Sequence, residues 1–337
     1  MTPAAPRRHR KAAAYLGALA GLSLALAACS SGGGSDPAAY PEDDIEVIVP
    51  FSAGGPTDTV TRMVAEPMAE ELGVQLVVQN VDGAGGTVGA GQAATAEPDG
   101  YTVLMHHIGM STAPALYADL AYDPVADFKP IGLVTEVPMT IIARADFEPD
   151  TFEEFVTFVQ ENADTVTMAH AGEGSASNLC GLLLTDALGV DLTAVPYDGT
   201  GPAMAEIVGG QVDFMCDQTT NTTGQITAGE VKAYAVTTPE RIEALPDLPT
   251  TTEGGQPDIQ VSVWHGLYVP AETPDEIVAK LTGALQVALA DQGVVDQMAD
   301  LGTAPVSADQ ATPEAHAALL EEQIATWGGI IADGQGG

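Results

Sequence analysis

Three apolar runs, each followed by a glycine turn or a sharp turn and separated by stretches with helical spacing, constrain this chain most. The first is Val47-Ile48-Val49, halted by Pro50 and the Gly54-Gly55 turn. After it, Val60, Met63, Val64, Met68 and Leu72 keep helical spacing up to Gly73, where a C-terminal cap belongs. The second is Gln75–Asn80, followed by Asp82-Gly83-Ala84-Gly85-Gly86 and a helix expected from Thr87 to about Ala96. Glu97-Pro98-Asp99-Gly100 then turns the chain into a third strand, Tyr101–His107. Strand, helix, strand, helix, strand in this order implies a parallel sheet with right-handed crossovers. Its C-terminal edge collects residues 51–58, 82–87 and 106–111.

Such an edge is where small ligands settle, because unpaired N–H groups and the positive ends of helix dipoles point there. Glycine lets the backbone come close to a ligand. Residues 51–58 are therefore read as an anion cradle. The plainer reading is a simple connection in which Thr57 or Asp58 caps the helix, and an aspartate there competes with an anion for the same N–H groups.

The second half repeats the pattern. Ile131–Val134 and Met139–Ala143 read as strands, residues 151–162 as a helix and Val166–His170 as a strand. The turn Ala171-Gly-Glu-Gly-Ser-Ala-Ser-Asn then opens a helix to Leu188, with Ser175 or Ser177 as a candidate cap. Leu192–Tyr197, the turn at Asp198–Gly201, a helix near 203–208, and strands at 212–217, 232–237 and 261–270 follow. Helices near 274–290, 291–300 and 313–333 close the chain. The expected organisation is two α/β domains, 44–143 with 258–337 and 144–257, each offering one glycine-lined turn. Gly89-Ala90-Gly91 imitates part of a dinucleotide fingerprint but falls inside a helix, so nicotinamide binding is discounted.

The N-terminus carries Arg7-Arg8-His9-Arg10-Lys11, an apolar run from Ala12 to Ala28, and Cys29. Residues 1–28 read as an export signal, and Leu26-Ala27-Ala28-Cys29 matches the bacterial lipobox, with Cys29 as the lipidated residue and 29–43 as a flexible linker. The expected place is outside the cytoplasm, anchored to the cell membrane by lipid. An uncleaved membrane helix is the weaker reading, because Gly17, Gly21 and Ser23 interrupt the run.

With 47 acidic and 10 basic residues the formal charge is −37, which excludes nucleic acid as a partner. In an exported chain the remaining Cys180 and Cys216 either form a disulfide or stay as two buried thiols. No nucleophile elbow, phosphate loop or zinc-protease motif occurs. His106 and His107, adjacent on a strand, should point to opposite faces, so no metal site and no cofactor is expected. One of the pair, His107, is placed at the cleft rim as a hydrogen-bond donor.

Val49-Pro-Phe-Ser-Ala-Gly-Gly-Pro-Thr-Asp with Arg62, Val78-Gln-Asn, Gly83-Ala-Gly-Gly, Pro98-Asp-Gly-Tyr-Thr, Val195-Pro-Tyr-Asp-Gly, Gly209-Gly-Gln-Val-Asp and Pro249-Thr-Thr-Thr-Glu-Gly together resemble the solute-binding receptors of tripartite tricarboxylate transporters, the Bug family. The resemblance covers about residues 44–330. It implies a type II periplasmic-binding-protein fold with hinge strands and a central cleft, no catalysis, and a small di- or tricarboxylate handed as a monomeric receptor to membrane permease subunits. A receptor that signals to a sensor kinase is the alternative. By the same resemblance the first binding loop falls on Phe51, Ser52, Ala53, Gly54, Gly55, Thr57 and Asp58. The opposite loop falls on Gly172, Gly174, Ser175 and Ser177, with Tyr197, Thr200 and Asp217 beside the cleft. Asn178 departs from the histidine that many members carry there.

Overall fold

The computed structural model describes residues 39–334. The export segment 1–28, Cys29 and the start of the linker lie outside the described residues. The chain runs β1 (Ile45–Val49), α1 (Pro56–Leu72), β2 (Leu76–Asn80), a 3-10 turn at Ala84–Gly86, α2 (Thr87–Ala94), β3 (Thr102–His107) and α3 (Gly109–Leu116). It continues with β4 (Phe128–Arg144), α4 (Phe152–Glu161), β5 (Thr167–His170), α5 (Ala176–Leu188), β6 (Thr193–Pro196), α6 (Thr200–Val208), β7 (Phe214–Gln218) and α7 (Thr219–Ala228). β8 (Val231–Val236), β9 (Ser262–Pro270), α8 (Asp275–Ala290), α9 (Gln292–Asp300) and α10 (Pro313–Gly334) complete it.

β1 lies between β2 and β3, parallel to both, as the opening pattern requires. The strand order is β2-β1-β3-β9-β4-β7-β5-β6, with β8 paired to β4. The first lobe is built on β1 to β3 and β9, and the second on β5 to β8. β4 belongs to both, because its first part pairs with β9 and its last residues, Met139–Arg144, pair with β7 and β8. Ile131–Val134 and Met139–Ala143 are thus one strand of 17 residues rather than two. Pro130, Gly132 and Pro138 obscured its continuity, and bulges near Pro130 and Leu133 absorb the irregularity.

Apolar periodicity sets the packing. Val60, Val64 and Met68 of α1 join Val47 and Val49 of β1, Val103 and Met105 of β3, and Leu281 and Leu285 of α8 in one buried cluster. Fully burying such a side chain contributes about 1.5–3 kcal/mol. α1 starts at Pro56, where a missing N–H is harmless, and ends at Gly73 in left-handed conformation (φ 75°), whose N–H reaches the Ala69 carbonyl. In the second lobe Thr151 and Glu154 form a reciprocal capping box at the start of α4. Cys180 of α5 and Cys216 of β7 are bonded as a disulfide with their Cα atoms 6.0 Å apart. Among the described residues no helix is long and apolar enough to cross a membrane.

Candidate functional site

The carboxyl ends of β1, β3, β5 and β7 open on one cleft between the lobes. Phe51, Gly55, Pro56, Thr57 and His107 line it from the first lobe, and Ala171, Ser175, Ala176, Ser177, Thr200, Asp217 and Gln218 from the second. Four helices therefore aim their N-termini at it: α1 from Pro56, α5 from Ala176, α6 from Thr200 and α7 from Thr219. The first N–H groups of a helix have no partner within it, so each start presents donors and a partial positive charge.

Acidic residues are unevenly distributed over the helix starts. α4, α8 and α10 begin with carboxylates, namely Glu153 and Glu154, Asp275 and Glu276, and Glu314. The first turns of α5, α6 and α7 carry none, and neither do those of α2, α3 and α9, so what sets the first three apart is that they converge on one cleft. Only Asp58 stands in the first turn of α1, and its carboxylate is turned aside. It accepts from the Gly54 N–H at 2.9 Å, from Arg62 Nε at 2.9 Å and from Asn80 Nδ2 at 3.1 Å. Burial alone would raise this carboxyl, but those hydrogen bonds outweigh it and hold it below the usual range. Asp58 braces the loop and leaves the remaining N–H groups of α1 to the cleft.

The lobes meet around this site. Tyr117 Oη donates to the Glu173 carbonyl at 2.8 Å, Thr112 Oγ1 to the Gly174 carbonyl at 2.9 Å, and the Ser52 N–H to the Asp198 carbonyl at 3.3 Å. Glycines let the backbones approach: a Cβ on Gly85 would stand 2.0 Å from the Glu173 carbonyl oxygen, and one on Gly199 2.0 Å from Ser52 Oγ. The cavity left is about 10 Å³, on the order of one water molecule. Entry of anything larger requires the lobes to part.

Two polar groups in the cleft are tuned by burial. Asp217, 1% exposed, is the next-to-last residue of β7, and burial pushes its carboxyl up to about 6 against the hydrogen bonds from Asn221, Gln218 and Thr200. His107 stacks on Phe51 with ring centroids 4.5 Å apart. Burial, then the neighbouring His106 and His265, hold it well below the usual histidine range, so it is neutral. Its Nδ1 accepts the Gly109 N–H at 2.9 Å, which leaves Nε2–H as the donor of the ring. The expected alternation of His106 and His107 across the sheet fails at the strand end, where the chain turns. Both are buried, with ring centroids 5.2 Å apart. Among the described residues no cluster of three metal-binding side chains occurs.

Of the residues singled out by sequence, Phe51, Gly55, Thr57, His107, Ser175, Ser177, Thr200 and Asp217 line the cleft. Ala53 and Gly54 lie exposed on the outside of the first loop. Ser52 and Gly172 sit on the seam between the lobes, Gly172 against Gly85. Gly174 packs on Leu116, and Tyr197 is half-buried with its N–H on the His170 carbonyl. Pro56, Ala171, Ala176 and Gln218 line the cleft without having been singled out. Gln218 was hidden because the helix it opens, α7, was not legible.

Residues 60–335 match the family profile described as "Tripartite tricarboxylate transporter family receptor". A protein of Agrobacterium vitis, described as the "UPF0065 protein in the TAR-I ttuE-ttuC' intergenic region", is 51% identical over 87% of this chain and 85% of its own. The structure of the periplasmic binding protein BugD superposes with a TM-score of 0.86 at 50% identity, covering 88% of this chain and 99% of that one. MatC from Rhodopseudomonas palustris with bound malate superposes with a TM-score of 0.84 at 43% identity, covering 87% of this chain and 100% of that one.

Proposed function

This chain belongs to the tripartite tricarboxylate transporter receptor family, a family of solute-binding receptors rather than enzymes, and from that premise we propose that it captures a small organic carboxylate outside the cytoplasm and delivers it to membrane permease subunits. Lipid on Cys29 would hold it at the cell membrane, with residues 29–43 as tether. The observation that carries the carboxylate reading is the convergence on one cleft of the starts of α5, α6 and α7, none with an acidic residue in its first turn. Helix starts kept clear of internal anions are a receptor for an external one. The malate bound by MatC, at 43% identity, supports the same ligand class.

The lobes, 44–143 with 258–337 and 144–257, would open by a hinge in the strands that join them and close on the ligand, which shifts the equilibrium by touching both. Ligand then adds stability by mass action, so a carboxylate panel should raise the melting temperature, by several degrees at concentrations far above Kd. Ala176→Asp gives the decisive control. A carboxylate at the first position of α5 suits the helix dipole but fills the anion site, so binding should vanish while the fold persists. Unchanged affinity in that variant would remove the α5 start from the site.

A further inference from the structure

Resting on the reading of the cleft as the solute site, we propose that the Cys180–Cys216 disulfide is a positioning element of that site. It fixes the start of α5 against the end of β7, and so sets the affinity for the solute, over and above what it adds to stability.

The second-lobe wall comes from two separate segments. Ser175, Ala176 and Ser177 belong to the loop and helix that follow β5, and Asp217 and Gln218 end β7. Main-chain pairing does not carry these segments to the cleft side by side. β5 pairs with β6 along its whole length, up to His170 opposite Pro196, but with β7 only at Met168–Phe214 and Ala169–Met215. On its other edge β7 stays paired to its last residues, Asp217 opposite Thr140 and Gln218 opposite Met139 of β4. The end of β7 is thus fixed to β4, while its ladder to β5 stops short of the cleft.

Side-chain hydrogen bonds do not close this gap. Among the described residues none joins 171–178 to 217–221. Ser177 Oγ accepts the Ala171 N–H at 2.9 Å and Asn178 Oδ1 the Gly174 N–H at 3.0 Å, both within the α5 start. The Asp217 carboxylate accepts from Asn221, and its carbonyl from Thr140. The disulfide bridges the two segments instead, from Cys180, four residues beyond Ala176, to Cys216, immediately before Asp217.

α5 rests on β5 one residue further along, where a Cβ on Gly181 would stand 2.4 Å from Met168 Cε. Leu179 and Leu184 share an apolar cluster with Phe214 of β7. Apolar packing is non-directional and tolerates a pivot of the helix about Gly181. A covalent bond to β7 forbids it. At 1.5 Å of rise per residue the cleft end of α5 lies about 6 Å from the bond, so any such pivot would be felt at Ser175–Ser177.

The test compares the oxidised protein with two bond-free forms. One is wild type refolded with tris(2-carboxyethyl)phosphine, in which each sulfur gains a proton and the phosphine becomes its oxide with oxygen from water. This form keeps both sulfurs, so packing volume is preserved. The other is Cys180→Ala/Cys216→Ala. Both should bind malate roughly fivefold or more weakly by calorimetry. The Ala171, Gly174 and Leu179 amides, all bonded within the α5 start, should exchange hydrogen roughly tenfold faster than in the oxidised protein, with α1 unchanged. Oxidised glutathione, itself reduced to two thiols, should restore both values to the reduced wild type. Thr151→Ala, which removes the α4 cap in the same lobe, should lose stability and leave both readouts at wild type. Bond-free forms that lose stability yet bind malate as the oxidised protein does would overturn the inference, leaving a cross-link that acts through the unfolded chain alone. Failure of both forms to fold would overturn it as well, by assigning the bond to folding. If malate does not bind the oxidised protein, the failure counts against the carboxylate reading, and the exchange rates alone decide the inference.

Discussion

Tyr117 and Glu173 meet across the cleft, the phenol of the first lobe donating to a main-chain carbonyl of the second at 2.8 Å. Neither residue lines the cavity, so this contact belongs to closure and not to ligand recognition. A hydrogen bond of this kind contributes about 0.5–1.5 kcal/mol. Tyr117→Phe should therefore raise Kd roughly two- to twelvefold, mainly through faster dissociation, with the melting temperature of the free protein nearly unchanged. Stopped-flow release of a fluorescent ligand would measure it, and an unaltered release rate would remove this contact from the closed state.

Close approach at the seam rests on Gly85. A methyl there would meet the Glu173 carbonyl at 2.0 Å. Because Gly85 also has a left-handed backbone (φ 62°), Gly85→Ala carries a conformational cost of about 1–2 kcal/mol besides the collision. Gly73→Ala is the matched control: φ is 75° and nothing lies within 4 Å of the added methyl. Both variants should lose similar stability, whereas only Gly85→Ala should lose ligand affinity, by tenfold or more. Small-angle scattering should show Gly85→Ala failing to compact when ligand is added.

Acid should destabilise the fold earlier than its carboxylates alone would suggest. Burial lowers His106 to about 4 and His265 and His316 to about 3, and takes His107 well below its ordinary value. A histidine kept neutral in the fold but free to protonate when unfolded stabilises above about pH 6.5, and that contribution is lost as pH falls towards the folded value. The slope is roughly 1.4 kcal/mol per pH unit for each such residue once the unfolded form is fully protonated. Asp217, raised to about 6, acts in the opposite sense, because its burial penalty is relieved on acidification. Four histidines outweigh one carboxyl, so the melting temperature should drop between pH 6.5 and 5. His316, packed against Trp264 and Tyr268 with both ring nitrogens unpaired, is the cleanest probe. Calorimetric scans of His316→Leu should show a gain over wild type that is larger at pH 5 than at pH 7.5.

The first lobe was legible in the sequence because β1, α1, β2, α2 and β3 each follow their own periodicity and are bounded by glycine or proline. The family resemblance carried the site, and it placed the second-lobe wall at Thr200 and Asp217 before any geometry was available. Two helices next to the cleft were not legible. α3 begins with Gly109 and contains Pro114, which reads as a break. α7 begins Thr-Thr-Asn-Thr-Thr, residues that disfavour helix in isolation. Its stability is tertiary: Thr222 is fully buried and shares a 2.7 Å hydrogen bond with Thr140 of β4. Local propensity cannot report a helix whose hydroxyls are satisfied by a strand some 80 residues away. The turning aside of Asp58 was likewise beyond sequence, since it depends on Arg62 and Asn80 arriving together at one carboxylate.

The withholding of acids from three helix starts has a kinetic corollary. An anionic solute approaching a chain of net charge −37 is repelled while still far away and attracted only at the mouth of the cleft, where the helix N-termini take over. Added salt shortens the reach of the repulsion to about 8 Å at physiological strength and leaves the enclosed attraction nearly intact. Capture should therefore speed up as ionic strength rises, the reverse of the usual behaviour of electrostatically steered encounters, and a receptor built this way would collect its cargo best in brine.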